Sequence, residues 1–374
     1  MAALRWVGAG VAVKVLALVV LAAIVAAAIV ISGTAFRSDS GAPSVQKVVD
    51  AGSPGALLLV DDGSSRTEKA SGFAVLNGRV PLDAHDRFRV GSITKTFVAV
   101  VVLQLVAEHR LALGDTVERW LPGLVPNGGR ITLRQLLAHR SGLADYADDA
   151  DFLRRTVAQP RRRWTPRELV AVALAEGRVA PPGKAFAYAS TNYVLLGMVV
   201  ERATGTSLGR QLRRRIFVPL GLRDTVFAYD LRHSRPYAHG YAPSQHDGIV
   251  GSVATARDRS VVNTSWAWAA GSIVSTASDL SRFFGALLQD RLLPGRLLEL
   301  MRPAPGSRYG LGLAAFRTPC GAAIGHTGAL LGTVSAAWSS ADGRRRVVAM
   351  SNSLPLPPPA GVALRKLLDS AFCG

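Results

Sequence analysis

Two serines in this chain are each followed three residues later by a lysine. One pair is Ser92 with Lys95, in the stretch FRVGSITKTF, and the other is Ser44 with Lys47. On a helix this spacing places both side chains on one face, so a lysine amine can reach the serine hydroxyl. Such a pair can be a nucleophile and its base, or a capping serine beside an exposed lysine. Because chance produces this spacing readily, only the surrounding sequence can separate the two copies.

The surrounding sequence distinguishes Ser92 from Ser44. The segment from Thr94 to Arg110 is apolar nearly all round, which predicts a helix buried on every side. Burial would lower the pKa of Lys95, and the start of the helix would offer N–H groups to a developing oxyanion. Ser44 lies in residues 37–54, a polar segment typical of a linker. For Ser92, catalysis and helix capping remain equal alternatives on these residues alone.

The rest of the pattern predicts strands at both ends of the chain and helices between them. Apolar runs at 55–62 and 70–77 predict a hairpin, and four more strand candidates lie between 309 and 352. Asp342-Gly343 is a favourable hairpin turn between the last two of these candidates. Thr165 begins a capping box that predicts one of the central helices. An α/β (α+β) fold follows, with one sheet built from both termini and a helical insertion.

The N-terminal segment predicts export from the cytoplasm. Residues 15–31 form an unbroken apolar run behind Arg5 and Lys14, which fits a signal peptide or membrane anchor over residues 1–36. The preceding cations favour an orientation in which the rest of the chain is extracytoplasmic, either secreted or anchored. Gly33-Thr34-Ala35 offers a cleavage site, and cleavage and retention both stay open.

Composition narrows the class of partner. The formal net charge is +18 and most of the 44 cations are arginine, which fits an arginine-covered surface or attraction to anionic envelope components. The basic runs at 161–163 and 213–215 lack interleaved aromatic residues, which argues against nucleic acid as a partner. His233, His239 and His246 are interpreted as surface loop residues, so no metal or other cofactor is expected.

Five stretches follow one another in a recognisable order over roughly residues 40–374. They are FRVGSITKTFVAVVVLQLVAEHRLALGDTVERWLPG, ITLRQLLAHRSGL, FAYASTNYVLLG, AAGSIVSTASDLSRF and GHTGALLG. Together they resemble the serine beta-lactamase and penicillin-recognising hydrolase family. Within it they resemble the class C-like branch that includes secreted D-Ala-D-Ala carboxypeptidases of actinobacteria. The resemblance implies a beta-lactamase/transpeptidase-like fold over 55–374, with an antiparallel sheet flanked by helices and a mainly helical subdomain at about 100–262.

The resemblance also implies the catalytic residues. Ser92 would be the acylated nucleophile and Lys95 its partner. Tyr188 matches the family tyrosine whose phenolate or hydroxyl passes a proton to the leaving group. His326 matches the first residue of the Lys/His-Thr-Gly strand that lines the site opposite the serine. The implied catalytic set is therefore Ser92, Lys95, Tyr188 and His326.

Substrate-binding positions follow from the same resemblance. Thr327 and Gly328 complete the Lys/His-Thr-Gly motif, and the N–H of Ala329 would form the oxyanion hole with the N–H of Ser92. Ser190 occupies the position where the family usually has asparagine. A serine hydroxyl has shorter reach than an amide and only one donor.

The sequence also departs from the family pattern at two positions that would bind the carboxylate of the substrate. Carboxypeptidase relatives bind this carboxylate through an arginine on the strand before His-Thr-Gly and a hydroxyl just after that motif. The corresponding positions here are Ala314 and Ala329, while Arg317 lies nearby without being required to face the cleft. These losses weaken the case for a peptide carboxylate and leave room for an ester or amide substrate.

The resemblance is also compatible with a bridge between Cys320 and Cys373. In an oxidising compartment an isolated pair of cysteines favours a disulfide over two free thiols. The bridge would connect the strand before His-Thr-Gly to the C-terminal helix.

The function expected from the sequence is an exported serine hydrolase that forms an acyl-enzyme on Ser92. A D-Ala-D-Ala carboxypeptidase or related D-amino-acid peptidase is the leading interpretation. An esterase of the same fold and a penicillin-binding sensor with little turnover are the alternatives. Expected partners are a small-molecule or peptide substrate such as a peptidoglycan stem peptide, beta-lactams as acylating ligands, and the membrane through residues 15–31 if they are retained.

Overall fold

The computed structural model describes residues 42–229, 237–242, 245–246, 249–250 and 256–374. The predicted signal or anchor, residues 1–36, lies outside these ranges, as do His233 and the side chain of His246. His239 is described, and its Nδ1 lies 2.7 Å from an Asp258 carboxylate oxygen. Across the described ranges, no helix has the length and apolarity needed to cross a bilayer.

The chain forms a seven-stranded antiparallel sheet from both of its ends. Its strands are β1 (Gly55–Asp61), β2 (Arg66–Val75), β3 (Val80–Pro81), β11 (Ala314–Thr318), β12 (Gly321–Leu330), β13 (Thr333–Ser339) and β14 (Arg346–Ser351). Their order is β11-β12-β13-β14-β1-β2-β3. Pairing of β1 with β14, with Leu58 opposite Ala349, joins the two ends. The predicted fold class and the Asp342-Gly343 hairpin are confirmed.

Short strands form three smaller sheets beside the main one. β4, β10 and β5 make a three-stranded sheet, β6 pairs with β9, and β7 pairs with β8. Their bounds are β4 (Phe88–Arg89), β5 (Val226–Phe227), β6 (Tyr241–Ala242), β7 (Gln245–His246), β8 (Ile249–Val250), β9 (Arg257–Asp258) and β10 (Ile273–Ser275).

Helices cover the sheet and fill the middle of the chain. They are α1 (Val45–Asp50), α2 (Ile93–Ala107), α3 (Val117–Trp120), α4 (Leu133–Leu137), α5 (Ala150–Ala158), α6 (Pro166–Ala175), α7 (Ser190–Thr204), α8 (Leu208–Leu212), α9 (Trp268–Gly271), α10 (Ala277–Leu288), α11 (Gly295–Met301) and α12 (Pro358–Cys373). Single turns occur at Gly128–Arg130, Tyr146–Asp148 and Thr264–Trp266, and α8 continues as a π-turn over Arg213–Phe217. Thr165 caps α6 through a capping box, as its sequence predicts.

Helix α2 lies at the centre of the fold. Every residue from Ile93 to Leu103 is fully buried, as the apolar pattern predicts. Phe97 stacks on Phe283 of α10 with ring centroids 3.6 Å apart, and Thr96 donates a 2.9 Å hydrogen bond to the Gly312 carbonyl. These contacts hold the start of α2 in a fixed position inside the protein.

The prediction of a linker over residues 37–54 is wrong for residues 45–50. Residues 45–50 form α1, and Val45 and Val48 are buried in a cluster with residues of α12 such as Leu364. Ser44 caps this helix by accepting a hydrogen bond from the Lys47 N–H at 3.3 Å. Ser44, in the second copy of the serine–lysine spacing, is therefore a helix cap. Helix α1 is too short for its sequence to show a helical apolar pattern, and packing against α12 stabilises it.

A disulfide joins Cys320, just before β12, to Cys373 at the end of α12. We expect the double variant Cys320→Ser/Cys373→Ser to be less stable by about 4 kcal/mol, because the bridge closes a loop across a separation of 53 residues. Thermal unfolding with and without reductant would measure the effect. Reductant should lower the unfolding temperature of the wild type and leave that of the double variant unchanged. Equal stability of the two oxidised proteins would contradict the prediction.

Candidate active site

Ser92 and Lys95 are in direct contact at the start of α2. Lys95 Nζ donates to Ser92 Oγ at 2.9 Å and to the Ala270 carbonyl at 3.0 Å. The Lys95 side chain has no exposed surface, and this burial lowers its pKa from 10.5 to about 7, against the opposing charge of Asp145. The Ser92 side chain makes no capping hydrogen bond. With a pKa near 7, a substantial fraction of the Lys95 amine is neutral at neutral pH and can accept the serine proton. The capping alternative therefore does not describe this pair.

Tyr188 is the third side chain at the serine. Its hydroxyl hydrogen-bonds Ser92, and its ring lies 4.9 Å from Lys95 Nζ. Burial raises the pKa of the Tyr188 phenol well above its ordinary value. The tyrosine is thus a neutral hydroxyl in the resting site, able to pass a proton between Ser92 and a leaving group.

Two glycines bring strand β12 against the loop that carries Ser92. A Cβ on Gly328 would lie 1.9 Å from the Val90 carbonyl oxygen, and one on Gly91 would lie 2.7 Å from Ala329 N. Gly91 also has a positive φ of 53°, a conformation that a side chain disfavours. Only glycine permits this approach, which places the Ala329 backbone beside the start of α2. Because N–H groups at a helix start have no intrahelical acceptor, the loop and strand can together supply an oxyanion hole.

His326 is buried and neutral. Burial lowers its pKa to about 3. Its Nδ1 lies 2.5 Å from the Thr327 carbonyl oxygen, which can only accept, so Nδ1 carries the proton. Nε2 then accepts a 3.1 Å hydrogen bond from the Tyr309 hydroxyl. His326 therefore contributes a fixed neutral ring, where a lysine in this motif would contribute a cation. Thr327 follows it on β12, opposite Ala336 of β13.

Tyr309 is a site residue that the sequence analysis did not identify. Its hydroxyl contacts His326, and its ring packs edge-on against the Tyr188 ring at 6.2 Å. The residue begins the stretch YGLGLAAF, whose pattern predicts only a strand. The structure thus connects His326 and Tyr188 through one aromatic residue.

His139 is a second residue that the sequence analysis did not identify. It is fully buried and stacks on the Tyr188 ring with centroids 4.1 Å apart. Its Nδ1 accepts from the Ala189 N–H at 3.1 Å and from the Asn192 amide at 3.2 Å. Burial lowers the His139 pKa well below its ordinary value, so the ring is neutral. His139 therefore orients Tyr188 and the start of α7 without carrying charge.

We expect Tyr309→Phe to lower kcat/KM about tenfold, because Nε2 of His326 would lose its hydrogen-bond donor inside a buried site. Steady-state kinetics at pH 7 would measure the change. Tyr237→Phe is the matched control, since it also removes a tyrosine hydroxyl that donates a hydrogen bond, here at 3.3 Å to the Ser260 carbonyl. Equal losses in both variants would contradict a specific role for Tyr309.

Ser190 begins α7 and lies close to Lys95, with 3.5 Å between Ser190 Oγ and Lys95 Nζ. The Ser190 N–H donates to Asp145 Oδ2 at 2.8 Å. Burial raises the pKa of Asp145, while the N–H groups of Ser190 and Ala147 and the charge of Lys95 oppose that shift. The family resemblance predicts Ser190 as a binding residue, but no motif in the sequence indicates its acidic partner.

Neither of the positions that correspond to the carboxylate anchor of the carboxypeptidase relatives has a polar side chain. Ala314 begins β11 opposite Gly325, and Ala329 lies on β12. Arg317 is exposed and three residues from Ala314, so the two side chains project from opposite faces of β11. The nearby arginine therefore does not replace the missing anchor.

Comparisons with known proteins agree with this geometry. A family model described as Beta-lactamase matches residues 42–372. A penicillin-binding protein of Bacillus subtilis (strain 168) is 29% identical over 80% of this chain and 68% of its own length. A D-aminopeptidase of Cereibacter sphaeroides is also 29% identical over 80% of this chain, which spans 57% of that relative.

Solved structures show the same similarity. A D-stereospecific amidohydrolase from Streptomyces sp. has a TM-score of 0.77 and 36% identity, covering 89% of this chain and 99% of its own. A D-amino acid amidase from Ochrobactrum anthropi SV3, complexed with L-phenylalanine, has a TM-score of 0.75 and 28% identity, covering 87% of this chain and 96% of its own.

Proposed function

The chain belongs to the beta-lactamase family and is a serine hydrolase, and we propose that it cleaves amides of D-amino acids through an acyl-enzyme on Ser92. The observation that carries this choice is the contact of Ser92 with Lys95 in a site that has alanines at both carboxylate-anchor positions. A carboxypeptidase must hold the free carboxylate of its leaving amino acid. An amide releases ammonia or an amine and needs no such anchor.

The similar proteins support an amidase of this kind. Two solved neighbours are a D-stereospecific amidohydrolase and a D-amino acid amidase, and one relative is a D-aminopeptidase. The similarity to the Streptomyces structure covers 99% of that protein and 89% of this chain, so it extends over the whole hydrolase domain.

The first half of the reaction follows from the contacts at Ser92. The neutral amine of Lys95 takes the proton of Ser92 as Oγ attacks the substrate carbonyl carbon. The N–H groups of Ser92 and Ala329 stabilise the resulting oxyanion. As the carbon–nitrogen bond breaks, the Tyr188 hydroxyl gives its proton to the leaving nitrogen and receives the proton held by Lys95. The acyl group then remains bonded to Ser92 Oγ.

Deacylation repeats these proton transfers with water. A water molecule attacks the ester carbonyl, its proton passes to the Tyr188 and Lys95 pair, and Ser92 Oγ takes a proton back as the ester bond breaks. The D-amino acid leaves, and the site returns to its starting protonation state.

A second candidate is carboxypeptidase activity on a D-Ala-D-Ala peptide. Similarity to a penicillin-binding protein favours it, because the same nucleophile would accept a beta-lactam carbonyl. An esterase activity would use the same site, since an alcohol also leaves without a carboxylate anchor.

Release of ammonia from D-phenylalanine amide is the test of the proposed activity, with L-phenylalanine amide as the stereochemical control. The proposal expects release from the D-amide alone. Turnover of diacetyl-L-Lys-D-Ala-D-Ala without amide hydrolysis would overturn it in favour of the carboxypeptidase. Hydrolysis of simple esters alone would overturn it in favour of the esterase.

We also propose that the enzyme acts outside the cytoplasm, with residues 1–36 serving as an export signal or anchor. The disulfide between Cys320 and Cys373 supports this location, because such bonds persist in oxidising compartments. Alkaline phosphatase fused to the C-terminus should be active in intact cells and lose that activity when residues 1–36 are deleted. Phosphatase activity in intact cells that express the fusion without residues 1–36 would contradict the proposal.

A further inference from the structure

A groove of about 310 Å³ lies between one face of α10 and the ends of the strands β1 and β14. The α10 positions that line it are three or four residues apart, so they form one continuous stripe along the helix. They are Ser278, Arg282, Gly285 and Gln289. The rest of the wall includes Asp61, Arg66, Arg291 and Arg346. The stripe runs about 16 Å along the helix, which is long enough for an extended ligand.

Arginine dominates the charge of this groove. Four arginines and one aspartate line it, which gives a net charge of +3. The aspartate, Asp61, is ion-paired with Arg346, whose remaining donors bond to a serine hydroxyl and to two backbone carbonyls. Arg66 pairs with Glu68, a residue that does not line the groove. The charge available to a ligand is therefore that of the other two arginines.

These two arginines and one serine offer donors that the protein does not use. In the part of the chain that the structure describes, neither the Arg291 guanidinium nor the Ser278 hydroxyl has a partner. Within the same residues, Arg282 donates only through Nη1, to the Gly221 carbonyl at 2.9 Å, so its Nε and Nη2 remain for a ligand. Two guanidinium groups and a hydroxyl are thus free to bind an anion.

The lining of the groove indicates the chemical class of the anion. Each of its ten residues is either polar or glycine. A protein partner would need an apolar or aromatic anchor at the centre of its interface, and single-stranded nucleic acid would need aromatic rings on which to stack its bases. A phosphodiester needs neither, because its oxygens match the donors of a guanidinium group and a hydroxyl. The length of the groove favours a chain of such groups over a single ion.

The groove is separate from the catalytic site. Gly328, beside the loop of Ser92, lies opposite Ser335 of β13, and Ser335 lies opposite Met350 of β14. Arg346 precedes Met350 by four residues, which is about 13 Å along the strand. A polymer bound in the groove would therefore leave Ser92 open to its substrate.

We propose that the groove of Ser278, Arg282 and Arg291 binds a linear phosphodiester polymer and holds the enzyme on it. The inference does not depend on which bond Ser92 cleaves. The net charge of +18 fits either an arginine-covered surface or attraction to anionic envelope components. The groove gives the second explanation a defined place, because its free donors converge on one concave surface.

Binding of an end-labelled poly(glycerol phosphate) to the full chain in nonionic detergent tests the proposal by fluorescence anisotropy. We expect Arg282→Gln/Arg291→Gln to weaken binding about 30-fold and to reduce its dependence on salt, because two charge-assisted contacts are lost. Arg161→Gln/Arg163→Gln is the matched control, since it removes two exposed arginines that have no side-chain partner among the described residues. This control should bind like the wild type. Equal losses in the two double variants would indicate diffuse attraction and overturn the proposal.

Ser278→Glu separates binding from an effect on folding. Ser278 lies in the first turn of α10, which Thr276 caps, and a carboxylate there stabilises a helix. The variant should therefore stay folded while its charge repels the phosphates, which should weaken binding at least about tenfold. Labelling of Ser92 by a fluorophosphonate reports the fold and should match the wild type. Unchanged affinity in Ser278→Glu would overturn the proposal.

Two competitors distinguish the polymer from other sources of negative charge. Poly-L-glutamate of equal charge represents an acidic peptide, and mixed micelles that carry phosphatidylglycerol represent a lipid headgroup. Each should need at least about tenfold more anionic groups than unlabelled poly(glycerol phosphate) to displace the labelled polymer. Equal or stronger displacement by either competitor, or a wild type that does not bind the polymer, would overturn the inference.

Discussion

Ser92→Ala is expected to abolish hydrolysis, with kcat lowered about ten thousandfold or more. The reason is that Ser92 Oγ lies 2.9 Å from Lys95 Nζ and also hydrogen-bonds Tyr188. Turnover of the best amide or ester substrate would measure the loss. Labelling by a fluorophosphonate and by a fluorescent penicillin should disappear with it, because both reagents need the same nucleophile.

Ser44→Ala is the matched control, since Ser44 has the same spacing to a lysine but caps α1. Removal of the cap should cost about 1 kcal/mol of stability and leave labelling and kcat at wild-type values. Labelling that survives in Ser92→Ala would exclude Ser92 as the nucleophile. Loss of labelling in Ser44→Ala without unfolding would exclude the assignment of Ser44 as a cap.

The sequence was sufficient to predict the parts of the fold that depend on local patterns. Apolar alternation and the Asp342-Gly343 turn predicted the hairpin of β13 and β14, and an apolar surface on every side predicted the burial of α2. The same burial distinguished Ser92 from Ser44. Local sequence could not predict α1, because the contacts that stabilise it come from α12 at the other end of the chain.

Three residues of the site escaped prediction because their roles depend on non-local contacts. Tyr309, His139 and Asp145 lie in separate parts of the chain, and no spacing in the sequence relates them to Ser92 or Lys95. Folding brings Tyr309 to His326, His139 beneath the Tyr188 ring, and Asp145 to the start of α7. Motif matching identifies residues that share a fixed spacing. It does not identify the side chains that orient them from elsewhere in the fold.

Lys95→Met is expected to lower the acylation rate about a hundredfold to ten thousandfold and to remove its dependence on pH near neutrality. Methionine approximates the length of the buried lysine without its amine, so α2 can remain packed. In the wild type, burial lowers the pKa of Lys95 to about 7. Only the neutral amine accepts the serine proton, so the rate should rise as pH increases through about 7 and become constant above that value.

Single-turnover acylation from pH 5 to pH 9 measures this profile, with Lys47→Met as the control that should retain it. A Lys95→Met variant that keeps an inflection near pH 7 would show that another group is the base. The nearby histidines do not account for such an inflection, because burial lowers the pKa of His326 to about 3 and that of His139 well below its ordinary value. Burial thus favours the neutral form of both rings. The pH profile therefore separates lysine as the base from a histidine mechanism within one experiment.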